Sequence, residues 1–389
     1  MLDTMRAWPR LAHRYAIPDL FEIPSGVDIK LLETSLRAVW SRHEALRARF
    51  VSEDGHLLVA HDREVAPLHV GGEVDSSRLA DELRFDLDDV LSGQPLAQHA
   101  IVERDHRKFL VLRVHHLVVD GWSRTVLWND LDHAYRSGGS LPARPRFSDF
   151  AREQHERWTC DSAAATAAWK EAFGATYQSL PWPAPTMRSA GGAAIAAVSS
   201  SALGIEESAR LREHAKAARV SASTALSFAI GLAMSTWAGV PVLIGSDSAN
   251  REDRRWRELV GQVVSTQYVA VDAAAASYSL ESALALGTDQ LRLARRFRGM
   301  CFEQLHRAVG APPHLKVNNF SPDGPEGGAA GALGLTEVEI ERGAPRVRHP
   351  WSLMTIAEDD LVLHQIRRAD LVDGGFSKTF PEMLRRAVR

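Results

Sequence analysis

The sequence predicts a mixed α/β protein with two hydrophobic cores. Three observations carry that prediction: the length of 389 residues, apolar runs that alternate between helical and strand spacing, and a proline- and glycine-rich break near the middle. One core rarely organises more than about 250–300 residues, so a chain of this length is expected to split. Helical and strand patterns occur on both sides of the break, so each half reads as helices packed on a sheet. With 45% apolar and 24% charged residues, the composition excludes a disordered, collagen-like or disulfide-stapled chain.

Taken in order, Ile29 to His43 carries Leu31, Leu32, Leu36, Val39 and Trp40 on one helical face. Asp54-Gly55 between two apolar runs signals a hairpin, because both residues accept positive φ. Phe109 to His116 is a strand by its β-branched content, and Arg124 to Tyr135 a helix with Ser123 as N-cap and Gly138-Gly139 as its stop. Three prolines in Pro181-Trp-Pro-Ala-Pro, followed by Gly191-Gly192, mark a linker over 181–195. It divides an N-terminal half, residues 1–180, from a C-terminal half, residues 196–389. Beyond it, Ile205 to Ala218 and Ser223 to Trp237 read as consecutive helices, and Val240 to Gly245 and Val263 to Val271 as strands. Pro322 to Gly334 is a glycine-rich loop, Leu353 to Ile366 reads as strands, and Phe380 to Val388 as a closing helix.

Charge and cysteine usage narrow the function. Lys and Arg number 46 against 49 Asp and Glu, so the chain lacks the field of a nucleic-acid binder. Cys160 and Cys301 form no CxxC pair, which points away from a disulfide framework or a thiolate metal site. No apolar run approaches membrane-span length and no signal region opens the chain, so the expected compartment is the cytoplasm, with no membrane and no nucleic-acid partner. Two basic clusters, Arg254-Arg255-Arg257 and Arg292-Arg295-Arg296-Arg298, read either as solvated faces or as docking patches for an acidic partner.

The chemically informative stretch runs from Val114 to Ser123: Val-His-His-Leu-Val-Val-Asp-Gly-Trp-Ser. Strand alternation places His116 on the side of Leu110, Leu112 and Val114, where a neutral imidazole is partly desolvated and able to take a proton. A lone histidine at a strand end is more often structural, and no HExxH or Cys/His spacing supports a metal. The whole run shifts that balance.

His115-His116-x-x-x-Asp120-Gly121 resembles the HHxxxDG signature of nonribosomal peptide synthetase condensation domains, in the chloramphenicol acetyltransferase-like superfamily. Ser41 to Phe50 is similar to the RHExLRTxF segment, with Ala48 in place of Thr. Ile244-Gly245-Ser246 to Asn250-Arg251, then Leu259 to Thr266, are similar to IGxPxxxR and IGxFVNT, with Gln262 and Ser265 replacing Phe and Asn. Val317-Asn318-Asn319-Phe320 falls where a late core motif is expected, while the opening SxAQxRLW motif is missing.

This resemblance implies an α/β (α+β) fold of two chloramphenicol acetyltransferase-like lobes in a V-shaped pseudo-dimer, with the active site in a tunnel between them. It implies acyl transfer from the 4'-phosphopantetheine thioester of an acyl- or peptidyl-carrier protein to an amine or alcohol acceptor, free or carrier-bound. No tightly bound cofactor, no metal and a monomeric state are expected. His116 matches the active-site histidine, as a base or as a group that orients the acceptor. His115, Asp120, Gly121, Trp122 and Ser123 make up the surrounding motif. The family pairs the aspartate with the arginine of the LRTxF segment, here Arg47. Gln262, Ser265 and Asn318 are candidates for the acceptor side of the tunnel. An amide-forming enzyme, stand-alone or excised and served by carriers in trans, is the expected activity. An ester-forming enzyme, an epimerisation domain and a non-catalytic recruitment domain are the alternatives. The Trp122-Ser123-Arg124 run and the intact histidine pair point away from the last two.

Overall fold

The computed structural model describes residues 15–53, 56–61, 82–174, 196–298, 302–310, 313–320, 333–340, 351–357, 361–368 and 374–389, with Met5, Leu68, Leu79, Met300 and Val372. The linker over 181–195, Asp54-Gly55 and nearly all of the glycine-rich loop lie outside these residues. Two compact units emerge, and they interleave in sequence: Met1–Gln154, Arg251–Val263 and Asp323–Gly343 form the first, and His155–Asn250, Val264–Pro322 and Ala344–Arg389 the second. The expected single division at 181–195 is therefore replaced by several crossings. The reason is visible in the packing: Trp256, Leu259 and Val263 bury their side chains with Phe150, inside the first unit.

The first unit is built on a four-stranded antiparallel sheet. Its strands are β1 (Ala16–Ile23), β4 (Ala97–Arg104), β5 (Arg107–His115) and β10 (Thr336–Glu337), in the order β10-β1-β5-β4. A separate hairpin pairs β2 (Ala48–Glu53) with β3 (His56–His61) out to Glu53↔His56. Helix α1 (Ile29–Arg42) starts where the Asp28 carboxylate accepts from the Leu31 N–H, and it buries Leu32, Leu36, Val39 and Trp40. A 3-10 turn, Glu44–Arg47, follows it, and a short helix α2 (Leu87–Leu91) precedes β4. Helix α3 (Gly121–Arg136) packs against α1. The alternation read in the sequence holds along β5: Leu110, Leu112 and Val114 join the core with α1 and α3, while Phe109 and Val111 bury into a smaller cluster on the opposite face.

The second unit has a six-stranded sheet, β6 (Ala196–Ala202), β7 (Val242–Ser248), β8 (Ser265–Val271), β9 (Leu315–Phe320), β11 (Trp351–Ala357) and β12 (Leu361–Arg368), in the order β6-β12-β11-β9-β7-β8. β9 runs parallel to β7 and β11, and the other pairs are antiparallel. Helix α4 (Phe147–Phe173) crosses the unit boundary after Gln154. Helices α5 (Ile205–Ala217), α6 (Ala222–Ala238) and α10 (Gly374–Val388) cover one sheet face. Short helices α7 (Leu280–Leu286), α8 (Thr288–Arg296) and α9 (Phe302–Val309) follow β8, and the end of α4 joins α8 and α9 over Leu243 and Tyr268 on the other face. α6 is capped by Ser221, which accepts from the Thr224 N–H, and ends at Gly239 with φ of 68°. Among the described residues no single helix is long and apolar enough to cross a membrane.

Candidate functional site

β5 ends at His115, one residue earlier than the pattern suggests, and His116 opens a tight turn into α3. The backbone fixes both histidines: His115 N–H donates to Leu96 O at 2.8 Å and His116 N–H to Tyr15 O at 2.7 Å. Their rings then do opposite things. His115 is fully buried, edge-on to Phe85 with ring centroids 5.3 Å apart, and its Nδ1 accepts from the Leu117 N–H at 3.0 Å. Nδ1 therefore carries no proton. Burial first, then electrostatic repulsion from the neighbouring His116 and Arg113 side chains, hold His115 down to about 3, so it is neutral at physiological pH.

His116 is half-buried, and its Nδ1 lies 2.8 Å from Val119 O. A carbonyl only accepts, so in the neutral ring Nδ1 carries the proton and Nε2 has the lone pair. That is the tautomer a general base or an acceptor-orienting group requires.

Asp120 N-caps α3, accepting from the Ser123 N–H at 2.8 Å, so Ser123 is not the cap that the sequence suggests but the third residue of the first turn. Both residues are excellent caps, and Gly121-Trp122 entering the helix decides for Asp120. Ser123 Oγ donates to Asp120 Oδ1 and lies 2.9 Å from Gly261 O, while Oγ accepts from the Gly261 N–H at 3.0 Å. The half-buried Trp122 sends its indole N–H to Arg257 O at 2.7 Å.

Asp120 itself is fully buried, and its partner corrects the expectation drawn for Arg47. The guanidinium that meets it is that of Arg251: Nη1 donates to Oδ2 at 2.9 Å and Nη2 to Oδ1 at 3.0 Å. Arg47 instead is the half-buried last residue of the otherwise buried 3-10 turn after α1, which packs beside β3 and β4. Arg251 Nη2 also donates to Ser123 Oγ and to Leu259 O, both at 3.2 Å. Val263 N–H completes the cluster with a 3.0 Å bond to Asp120 Oδ2. Thus one carboxylate caps a helix, neutralises an arginine and holds the 251–263 segment. Gly261 is required there by space, since a Cβ would overlap the Phe147 ring.

The three acceptor-side candidates separate. Gln262 sits in the first unit against the His116 turn. Ser265 opens β8 of the second unit, buried and paired in register with Ser248. Asn318 lies on β9 of the same sheet, half-buried, with its Oδ1 lacking a hydrogen-bond partner among the described residues. Arg251 was missed as a functional residue although it ends the Ile244–Arg251 stretch. An arginine only 4% exposed has to have a carboxylate partner, but the sequence does not identify which one.

A family model described as the condensation domain matches residues 9–319. A dimodular nonribosomal peptide synthase of Bacillus subtilis (strain 168) is 31% identical over 280 residues, covering 66% of this chain and 12% of that protein. The chain thus spans only a small part of that relative's length. Among solved structures, the epimerization domain from the third module of tyrocidine synthetase B matches with a TM-score of 0.75 at 18% identity, over 100% of this chain and 95% of that one. The X-domain seen in complex with OxyB from teicoplanin biosynthesis matches with a TM-score of 0.75 at 19% identity, over 100% and 92%. These structural likenesses describe the fold. The family match, over a span that contains the His115-His116 to Asp120-Gly121 motif and Arg251, shows that the chain belongs to the condensation-domain family.

Proposed function

We propose that this chain transfers an acyl group from a carrier-protein phosphopantetheine thioester to an amine, forming an amide in nonribosomal peptide or related biosynthesis. The observation that carries the reading is the 2.8 Å contact of His116 Nδ1 with Val119 O, which leaves Nε2 available for the acceptor. A thioester is already activated, so the chemical demand is modest. The amine nitrogen bonds to the carbonyl carbon, the C–S bond breaks, and the thiolate leaves. The amine must lose a proton as the C–N bond forms, and Nε2 is placed to accept or orient it. The thiolate is then protonated to the free pantetheine thiol.

The test mixes the chain with a loaded carrier and a panel of amines and follows intact-protein mass. Acyl loss from the carrier that depends on the amine, and that His116→Ala abolishes, supports the reading. Solvent deuterium entering the α-carbon without transfer would instead indicate epimerisation, and no reaction across the panel would indicate a recruitment domain. Ester formation with an alcohol panel would move the acceptor assignment from amine to hydroxyl.

A further inference from the structure

The inner face of the first sheet does not pack solid against its helices. A cavity of about 40 Å³ remains between β1, β5, α1 and α3, inside the first unit. Its sheet side is Ile17, Leu112 and Val114, with Ile17 opposite Val114 in the β1–β5 register. Trp40 of α1 and Leu127 of α3 line it from the helix side. Val119 also lines it, and this is the residue whose carbonyl meets His116 Nδ1. The His116 N–H is in turn held by Tyr15 O, two residues before Ile17 on the same chain segment. The cavity therefore shares a wall with the turn that carries His116.

The chemistry of the wall selects the occupant. The charged groups among the lining residues are Asp19 and Arg124, joined at 3.1 Å, so the wall carries no net charge. The rest of the lining is aliphatic or aromatic. Such walls favour an apolar guest over water, and 40 Å³ is about three times what one water needs, room for about three carbons. Unfilled volume inside a core costs stability, and this volume lies beside the group that meets the reacting end of the substrate. We infer that the cavity is a specificity pocket for a short, uncharged aliphatic chain, about three carbons beyond the reacting centre. The inference deepens the acyl-transfer reading and rests on it for the source of the chain. A donor acyl group and an alkyl amine acceptor would present the same methylenes.

The test measures binding of two series of unreactive probes to the full chain by calorimetry. One is pantetheine acylated through an amide in place of the thioester, from acetyl to octanoyl. The other is straight-chain amines from ethylamine to octylamine, with no donor present. In the series that supplies the chain, affinity is expected to rise about fourfold per methylene, then to stop rising near butanoyl or propylamine. Leu127→Phe, which fills the space from a half-buried position, should weaken butanoyl binding relative to acetyl on the order of tenfold, the loss of about two buried methylenes. Leu127→Ala should move the break to longer chains, and it decides alone if the phenylalanine variant does not fold. A break in the acyl series assigns the pocket to the donor, and a break in the amine series assigns it to the acceptor. Affinity that is flat in both series, that climbs without a break, or whose break no folded Leu127 variant moves, overturns the inference. A break that Leu127 controls, without acyl transfer from any loaded carrier, would uphold the pocket and refute the proposed function. Transfer without a break would do the reverse, so the two can fail separately.

Discussion

Replacing Arg251 by Met tests which arginine holds Asp120. The side chains of Arg251 and Asp120 are 1% and 0% exposed, so this is a desolvated pair and not a surface bridge of about 0–1 kcal/mol. The substitution removes both charge-assisted bonds to the carboxylate, while the Ser123 N–H, the Ser123 hydroxyl and the Val263 N–H still donate to it. Neutral donors soften a stranded carboxylate without replacing its counter-charge, and breaking such a pair costs about 3–5 kcal/mol. For a unit of this size that corresponds to a fall in thermal midpoint of roughly 6–20 °C. Arg47→Met, at a half-buried position outside this pair, is expected to cost clearly less. The assay is thermal and urea unfolding of the single variants, of Asp120→Asn, and of the Arg251→Met/Asp120→Asn double variant. The double variant should lose much less than the sum of the two singles, because each single already breaks the same pair. An Arg251→Met midpoint within a degree or so of wild type, or coupling of Asp120 to Arg47 but not to Arg251, would refute the assignment.

Two further outcomes are expected. With His115 held down to about 3 in the folded chain against 6.5 as its ordinary value, the unfolded chain binds a proton that the folded one refuses. Stability contributed by this ring is therefore complete above pH 6.5 and falls as pH drops below it, by up to about 1.4 kcal/mol per pH unit. His115→Asn, whose amide oxygen can still accept the Leu117 N–H, should flatten that slope between pH 6.5 and 4, and an unaltered slope would refute the argument. On α8, Arg295 and Arg296 are exposed, whereas Arg292 is paired with Asp289. If an acidic carrier docks there, Arg295→Glu/Arg296→Glu should raise the carrier KM and abolish the salt dependence of turnover, and a wild-type response to salt would exclude this patch.

Much of the fold is legible in the sequence because it rests on local periodicity. The alternation of β5, the apolar stripe of α1 and the consecutive helices α5 and α6 all fall within a residue or two of where spacing puts them. Legibility fails where the determinant is not local. Arg251 reaches Asp120 across 131 positions, and nothing in the spacing distinguishes it from Arg47. Gly261 and Val263 contribute through backbone N–H groups, which carry no residue-type signature at all. The interleaving of the units escapes composition for a similar reason. Residues 251–263 show no proline- or glycine-rich break, yet Trp256, Leu259 and Val263 join the core beside Phe150.

The two adjacent histidines show how far residue type alone under-determines a site. One peptide step separates them, and at the end of a strand that step is enough to send the rings into different surroundings. His115 uses Nδ1 as an acceptor, is sealed against Phe85, and resists protonation, so its contribution is to stability. His116 turns Nδ1 to the Val119 carbonyl and remains half-buried, so in the neutral ring Nε2 is the nitrogen without a proton. The turn that separates these roles is held at one end by the strand and at the other by Asp120, which caps α3 while Arg251 and Val263 tie down the neighbouring segment. Loss of activity in an Asp120 variant therefore does not implicate the carboxylate in proton transfer, because the same change releases the helix start and the 251–263 segment together. A chemical role for His116 is separable from this framework only by variants that leave Asp120 and Arg251 intact, and His116→Ala meets that condition.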